Sequence, residues 1–283
     1  MMKRNIFVSD SGKSDCVIKL ILSDMDGTLL DDNGQVPEGF EAVARELRER
    51  GVIFAPCSGR QYFSLLDSFK GYEDEFLFLA ENGTMVRYRG QELFSSTMRR
   101  DAGLQVLRTA AGVPGTYQVY CGKQDAYILA EQSTAEFQAE LNKYYTHSAT
   151  TADFAQLSDE LIKVSLFDPT GRAAETIYPA LLKYDGPMQV VLSSDYWVDV
   201  MNFGINKGIA IQQVQKKLHI APNECAAFGD YMNDAEMMSS VYYSFAMANA
   251  HPKIKELARF ATASNQEQGV LKGIQWLMDQ KLC

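Results

Sequence analysis

Short, largely apolar runs recur along this chain, and each ends abruptly in polar or acidic residues. The run at residues 17–22 leads into Ser23-Asp24-Met25-Asp26 and reads as a buried strand, because its apolar positions are contiguous rather than alternating. A turn at Asp31-Asp32-Asn33-Gly34 follows, then a helical pattern that Pro37 opens and Gly51 stops. Residues 52–55 and 76–80 repeat the buried-strand signal, with a helix at 62–69 between them. This strand–helix–strand alternation predicts a parallel sheet with helices on its faces.

The rhythm changes near Met98. A helix at 98–111, short strands at 117–121 and 126–129 and a helix at 134–145 are followed by a strand at 162–167. A helix at 172–184 and strands at 189–192 and 197–201 complete this stretch. That pattern predicts an antiparallel α+β layer inserted into the first domain. From Asn206 the earlier rhythm returns, with helices at 207–218, 234–239, 252–257 and 270–279 alternating with strands at 225–228, 244–247 and 260–262. The expected organisation is an α/β core from residues 17–97 and 202–283, with an α+β insertion at 98–201. Residues 1–16 read as a flexible extension: they are largely polar and lack the apolar stretch of a secretory signal.

The polar residues at the strand ends carry the candidate chemistry, since ligands gather at the carboxyl edge of a parallel sheet. Asp24 and Asp26 lie one residue apart and repel one another unless a cation or shared proton relieves them. Hard oxygen donors without a neighbouring His or Cys point to Mg²⁺, although Asp, Gly and Thr in this order would also make an ordinary turn and helix cap. Ser58-Gly59-Arg60 opens a helix after the second strand, as an anion cradle or as a plain Ser N-cap. Lys207 stands in the first turn of its helix, where a cation opposes the helix dipole; a bound anion would explain it, and its removal should then leave stability unchanged or slightly raised. Asp230 ends another strand and completes an acidic cage, while Asp234 either caps or orients the next helix. Glu81 and Asn82 end the third strand, where a turn role at Asn82-Gly83 outweighs substrate contact. Tyr196 and Trp197 read as packing residues.

Composition narrows the partners. The 283 residues are 46% hydrophobic, enough for two domains, and carry a formal net charge of −9. An acidic surface disfavours nucleic acid and anionic lipid, and any phosphate-bearing substrate would need local cations. No apolar run is long enough to span a membrane. Five scattered cysteines without paired spacing fit a reducing, cytoplasmic setting, and Cys57 reads as a buried apolar residue rather than a nucleophile.

Taken together, Asp24-x-Asp26-Gly27-Thr28-Leu29, Ser58-Gly59-Arg60, Lys207-Gly208 and Gly229-Asp230-x-x-Asn233-Asp234 resemble the four motifs of a haloacid dehalogenase superfamily phosphatase. The similarity is to the Cof-like group, whose large cap lies between the second and third motifs; residues 202–207 and 246–250 also look like that group. Tyr231 departs from it, standing where Gly is common. The resemblance implies an α/β fold with a Rossmann-like parallel sheet core and an inserted α+β cap acting as a lid. It implies Asp24 as nucleophile and Asp26 as general acid and base. It implies Mg²⁺ held by Asp24, Asp230 and the Asp26 carbonyl, phosphoryl oxygens held by Met25, Ser58, Gly59, Lys207 and Asn233, and support from Asp234 and Arg60. The implied substrate is a small-molecule phosphate ester, a sugar phosphate first, with nucleotides, pyridoxal phosphate and flavin mononucleotide open. A phosphomutase on the same core and a non-catalytic phosphometabolite sensor are the alternatives. Oligomeric state is not legible in the sequence.

Overall fold

The computed structural model describes residues 17–283, so the expectation for residues 1–16 lies outside the described residues. Strand β1 (Leu20–Asp24) is buried along its whole length. It begins later than expected and runs on through Ser23, so that Asp24 is its last residue. Helix α1 (Phe40–Glu49), strand β2 (Ile53–Cys57), helix α2 (Tyr62–Ser68) and strand β3 (Leu77–Ala80) follow. The pattern from Pro37 tightens into α1 only at Phe40, because Gly39 is left-handed at φ 90°.

A hairpin of β4 (Met85–Tyr88) and β5 (Gln91–Ser95) then extends the sheet antiparallel. The sequence reading passed over it. Its turn is Arg89-Gly90, with φ of 51° and 69°, a two-residue geometry usually announced by Asn-Gly or Asp-Gly.

The insertion comprises α3 (Arg100–Ala111), β6 (Tyr117–Gly122), β7 (Ala126–Leu129), α4 (Ala135–Leu141), β8 (Ser148–Thr151) and β9 (Leu161–Phe167). Two single-turn helices, α5 (Ala173–Thr176) and α6 (Tyr178–Leu181), and strands β10 (Met188–Leu192) and β11 (Trp197–Asn202) complete it. The single helix expected over 172–184 is broken, with Pro179 in the first turn of the second piece, where its missing N–H costs nothing. Asn202, expected to open the returning core, is still the last residue of β11.

These strands form a separate sheet in the order β10-β11-β9-β6-β7-β8, antiparallel except at β7–β8. Strand alternation sorts its side chains. Tyr120, Val164, Leu166, Val198 and Val200 pack in one apolar cluster with Val106 and Leu107 of α3. The other face bears Lys163, Ser165 and Asp199, with Asp199 paired opposite Ser165 in the ladder. Hydrogen bonds tie this layer to α2: Gln61 Nε2 donates to the His147 carbonyl at 2.9 Å, and Ser64 Oγ to that of Tyr144 at 2.8 Å.

The chain closes through α7 (Lys207–Leu218), β12 (Cys225–Gly229), α8 (Ala235–Ser240), β13 (Tyr243–Ala246), α9 (Pro252–Leu257), β14 (Phe260–Ala261) and α10 (Gly269–Asp279). The first sheet runs β14-β13-β12-β1-β2-β3-β4-β5. Its six strands from β14 to β3 are parallel. Chain order therefore reverses direction at β1, with β2 added on one side and β12 on the other. Such a reversal opens a crevice at the carboxyl edge, where the following loops diverge. In register, Asp24 stands opposite Cys57 and Ser23 opposite Phe228, so the turns carrying Asp26, Ser58 and Asp230 leave the sheet at one level.

Candidate active site

The crevice is lined by Asp24, Asp26, Ser58, Gly59, Arg60, Lys207, Asp230 and Asn233, whereas Met25 and Asp234 are fully buried and do not line it. Asp24 ends β1 and is almost fully buried. Gly27, two residues beyond the turn start, has φ +77°, and a Cβ there would lie 2.5 Å from Asp230 Oδ2, so only glycine lets the two loops approach. Thr28 Oγ1 donates to Asp230 Oδ1 at 3.0 Å and fixes that carboxylate.

Lys207 sits at the start of α7, whose N-cap is Asn206 accepting from the Ile209 N–H. Its ammonium is wholly buried, 2.5 Å from Asp24 Oδ1 and 2.6 Å from Asp234 Oδ1. This corrects the reading in which a lysine opposed to the helix dipole needs a bound anion: two protein carboxylates already balance it. Gly208 makes the contact possible, because a Cβ there would come within 2.6 Å of the Glu236 carbonyl and push α7 away from α8. Asp234 does not cap α8 with its side chain. Its second oxygen accepts from the Asp230 and Tyr231 N–H groups at 3.0 and 3.2 Å, so it locks the Asp230 loop to Lys207.

The electrostatics follow from burial. Burial, then the charge of Asp234, pushes Asp24 up to about 8 against the pull of Lys207. Burial likewise pushes Asp230 up to about 6, opposed by the Thr28 hydrogen bond. Burial alone would depress Lys207, but Asp234 and Asp24 outweigh it and hold the ammonium well above the ordinary lysine range. Oxygens of Asp24, Asp230 and Asp234 lie within 4.8 Å of one another. Both Asp234 oxygens are engaged, whereas Lys207 and Thr28 take only Oδ1 of Asp24 and Asp230, leaving Oδ2 of each for a cation. An all-oxygen set of this kind suits a hard divalent ion, whose charge would relieve the strained carboxylates.

Around this cage, Ser58 Oγ accepts from the Arg60 N–H at 3.1 Å. The Arg60 guanidinium forks onto the exposed Asp26 carboxylate at 2.5 and 3.0 Å. Asn233 Nδ2 donates to Asn82 Oδ1 at 3.3 Å, and Asn82 faces the crevice with φ 54°, so it is both turn and site residue. Tyr231 is 61% exposed on the rim, its ring edge-on to His251. Cys57 is buried, and burial pushes its thiol up, as an inert core cysteine requires.

The crevice opens into a cavity of about 670 Å³ that continues to the inner face of the second sheet. There stand Lys163 and Asp199, which the sequence analysis does not single out, with Glu81 of the β3 end packed against them. Lys163 Nζ lies 2.6 Å from Glu81 Oε2 and 3.6 Å from Asp199 Oδ2, all three buried. The signal was present: Ile-Lys-Val-Ser-Leu-Phe and Trp-Val-Asp-Val-Met place polar residues at alternate positions of otherwise apolar strands. Trp197 packs on Phe167 with ring centroids 4.9 Å apart and also lines the cavity, whereas Tyr196 is exposed.

Comparison with known proteins agrees with this architecture. A family model described as haloacid dehalogenase-like hydrolase matches residues 21–274. The 5-amino-6-(5-phospho-D-ribitylamino)uracil phosphatase YbjI of Escherichia coli is 32% identical over 90% of this chain and 94% of its own length. An HMP-PP phosphatase of Klebsiella pneumoniae is 26% identical over 84% of this chain and 86% of its own. Among solved structures, SMU.1108c of Streptococcus mutans superposes with a TM-score of 0.80 at 27% identity, covering 93% of this chain and 99% of that one. With four motifs converging at the switch point and the family match spanning most of the sequence, the chain belongs to the haloacid dehalogenase-like hydrolases and is a phosphatase of the Cof-like group.

Proposed function

We infer that the protein is an Mg²⁺-dependent phosphatase that hydrolyses small phosphorylated metabolites through an aspartyl-phosphate on Asp24. The observation that carries this reading is the cage itself: a buried Asp24, held by Lys207 and facing Asp230, at the mouth of a cavity that admits a metabolite. In the first step an Asp24 oxygen attacks phosphorus, the ester P–O bond breaks, and Asp26 gives its proton to the leaving oxygen. In the second step Asp26 takes a proton from water, which attacks the acyl phosphate, releasing inorganic phosphate and restoring Asp24. Ser58, the Gly59 and Met25 N–H groups, Asn233 and the third Lys207 proton hold the phosphoryl oxygens. Asp24, Asp230 and the Asp26 carbonyl hold the metal ion, which when bound neutralises charge on the phosphoryl group. Arg60 holds Asp26 at the rim until substrate arrives.

Residues 98–201 serve as the lid that excludes water and contacts the leaving group, the core being residues 17–97 and 202–283. A sugar or polyol phosphate is the leading substrate; the ribityl phosphate named for the Escherichia coli relative is of this kind. A cytoplasmic location is supported by the buried free thiols of Cys57, Cys121 and Cys225, and among the described residues no helix is long and apolar enough to cross a membrane.

Phosphate release from p-nitrophenyl phosphate and some tens of phosphorylated metabolites tests the reading. Activity should vanish in EDTA and return with Mg²⁺ but not Ca²⁺, whose longer, more numerous ligands spoil in-line geometry. Hydrolysis undiminished by EDTA would sink the metal assignment.

Thermal unfolding gives a second test. Asp24 and Asp230 keep protons in the folded protein that the unfolded chain has already lost. Their contribution to apo stability is therefore full below about pH 4 and lost as pH rises through about 6 for Asp230 and about 8 for Asp24. Metal binding needs both ionised, so the rise in Tm on adding Mg²⁺ should be larger at pH 8 than at pH 5.5. An equal or larger rise at pH 5.5 would count against Asp24 and Asp230 as the ligands.

A further inference from the structure

We propose that the Lys163–Glu81–Asp199 cluster is the leaving-group site, and that it selects neutral or cationic, hydroxyl- or amine-bearing esters against those carrying a second anionic group. This rests on the phosphatase reading and concerns the part of the cavity remote from Asp24.

The cavity continues from the phosphate cradle to the inner face of the second sheet, where Lys163 and Asp199 line it. Lys163 is 2% exposed, and at first sight a buried ammonium suggests a seat for a second phosphate or a carboxylate. Its surroundings argue the reverse. Two carboxylates face this one ammonium, Glu81 at 2.6 Å and Asp199 at 3.6 Å. Burial would lower Lys163, but Asp199 and Glu81 together hold it well above the ordinary lysine range. With two carboxylates on one ammonium, the cluster has no positive charge to spare even though burial pushes Glu81 up against the pull of Lys163, and there is little solvent to screen it.

The remaining cations offer no help to a second anion. Among the described residues, those lining the cavity are Arg60, Lys163 and Lys207, and each is already paired with carboxylates: Asp26 for Arg60, Asp24 and Asp234 for Lys207. The phosphoryl group would be served by the metal ion; a second anionic group at the other end would have no counter-charge.

What this end does offer is hydrogen bonding. Asp199 accepts from Ser165 on one oxygen and from Ser193 Oγ on the other at 2.7 Å. Ser193, with its proton committed to Asp199, presents its lone pairs, and Gln189 lies on the same side of the sheet, opposite Met201. Hydroxyl or amine groups of a ligand can donate to Ser193 and Asp199, and the Lys163 ammonium has a third proton for a hydroxyl oxygen. A carboxylate or phosphate would have only acceptors to present and would meet Asp199 as a like charge.

The test compares esters of equal length that differ in one group. Sorbitol 6-phosphate ends in a hydroxymethyl group where 6-phosphogluconate ends in a carboxylate. Wild-type kcat/KM should favour sorbitol 6-phosphate by at least tenfold, with glucosamine 6-phosphate at least equal to glucose 6-phosphate. Where turnover is too slow to follow, inhibition constants against p-nitrophenyl phosphate give the same comparison. In Asp199→Asn and, separately, Glu81→Gln, the ratio of the two open-chain esters should narrow several-fold, because one negative charge is gone. Wild-type preference for 6-phosphogluconate, or a ratio near one, would overturn the proposal without any variant. A wild-type ratio above ten that both substitutions leave unchanged in folded protein would overturn the assignment to this cluster. Failure of the wild type to hydrolyse p-nitrophenyl phosphate or any ester would instead remove the phosphatase reading on which the inference stands.

Discussion

Lys207→Ala is expected to cost the metal-free protein about 3–5 kcal/mol of stability and to leave no measurable phosphatase activity. Two effects of opposite sign compete at this position. Removing a cation from the first turn of α7 relieves the helix dipole by about 0.3–1 kcal/mol. Removing the ammonium also strands Asp24 and Asp234, both buried and both within 2.6 Å of it. Breaking a buried pair from one side leaves an uncompensated charge on Asp234, and it pushes Asp24, already up to about 8, further toward its neutral form. The second effect is several times larger, so the protein should be destabilised rather than relieved. Urea unfolding at pH 7.5 in EDTA measures it. The same experiment at pH 9 should show a larger loss, because wild-type Asp24 is then ionised beside its ammonium. Lys207→Met, which keeps most of the side-chain stem, separates packing from charge and should lose nearly as much. A loss below about 1 kcal/mol in both variants would mean that the carboxylates need no ammonium, and the cage would have to be redrawn.

Lys207 stood out because of its helix position, which is a local property, and the nearest explanation was a bound anion. Its true partners lie 183 and 27 residues away, and only the fold brings them within reach. The acids, in contrast, were legible individually, because a carboxylate at the end of a contiguous apolar run lands at the carboxyl edge of a parallel sheet wherever the strand sits in the order. The division into a parallel core and an inserted layer was legible for a related reason: contiguous apolar strands give way near Met98 to shorter ones in a different rhythm.

What escaped was the structure held by weak or distributed signals. The β4–β5 hairpin turns on Arg89-Gly90, and arginine is an unusual residue at a positive φ. The helix expected over 172–184 kept its apolar spacing but could not run unbroken across Pro179. Lys163 and Asp199 looked like interruptions in two apolar strands. They are instead the polar members of an inner sheet face whose outer face is Val164, Val198 and Val200. Glu81 ends β3 beside the Asn82-Gly83 turn, and no feature of its own neighbourhood points to a lysine 82 positions later in the sequence.

Asp24→Asn should reduce turnover by about a thousandfold or more while leaving the fold intact and the metal-free protein at least as stable as the wild type. The loss of turnover follows from chemistry: an amide oxygen does not form a stable acyl phosphate, and no other side chain stands where Asp24 ends β1. The effect on stability follows from burial. At neutral pH the Asp24 carboxylate is held out of water beside Asp234, which is why its pKa is pushed up to about 8. Asparagine keeps an oxygen to accept from Lys207, and the ammonium retains Asp234 as its counter-charge. The substitution therefore removes an ionisation that folding disfavours without stranding its partner, which is the feature that distinguishes it from Lys207→Ala. The gain should grow with pH, since the wild type loses stability as pH rises from about 4 through about 8 and the variant lacks that group. Asp230 still titrates near 6 in both, so only the upper part of the pH dependence should flatten. Thermal unfolding at pH 5.5 and pH 8, with and without Mg²⁺, reads all of this together with phosphate release from p-nitrophenyl phosphate. A variant retaining a tenth of wild-type activity would mean that the nucleophile lies elsewhere. A variant that is inactive but less stable at pH 8 than at pH 5.5 by as much as the wild type would leave Asp24 in the chemistry and remove it from the account of the cage's electrostatics.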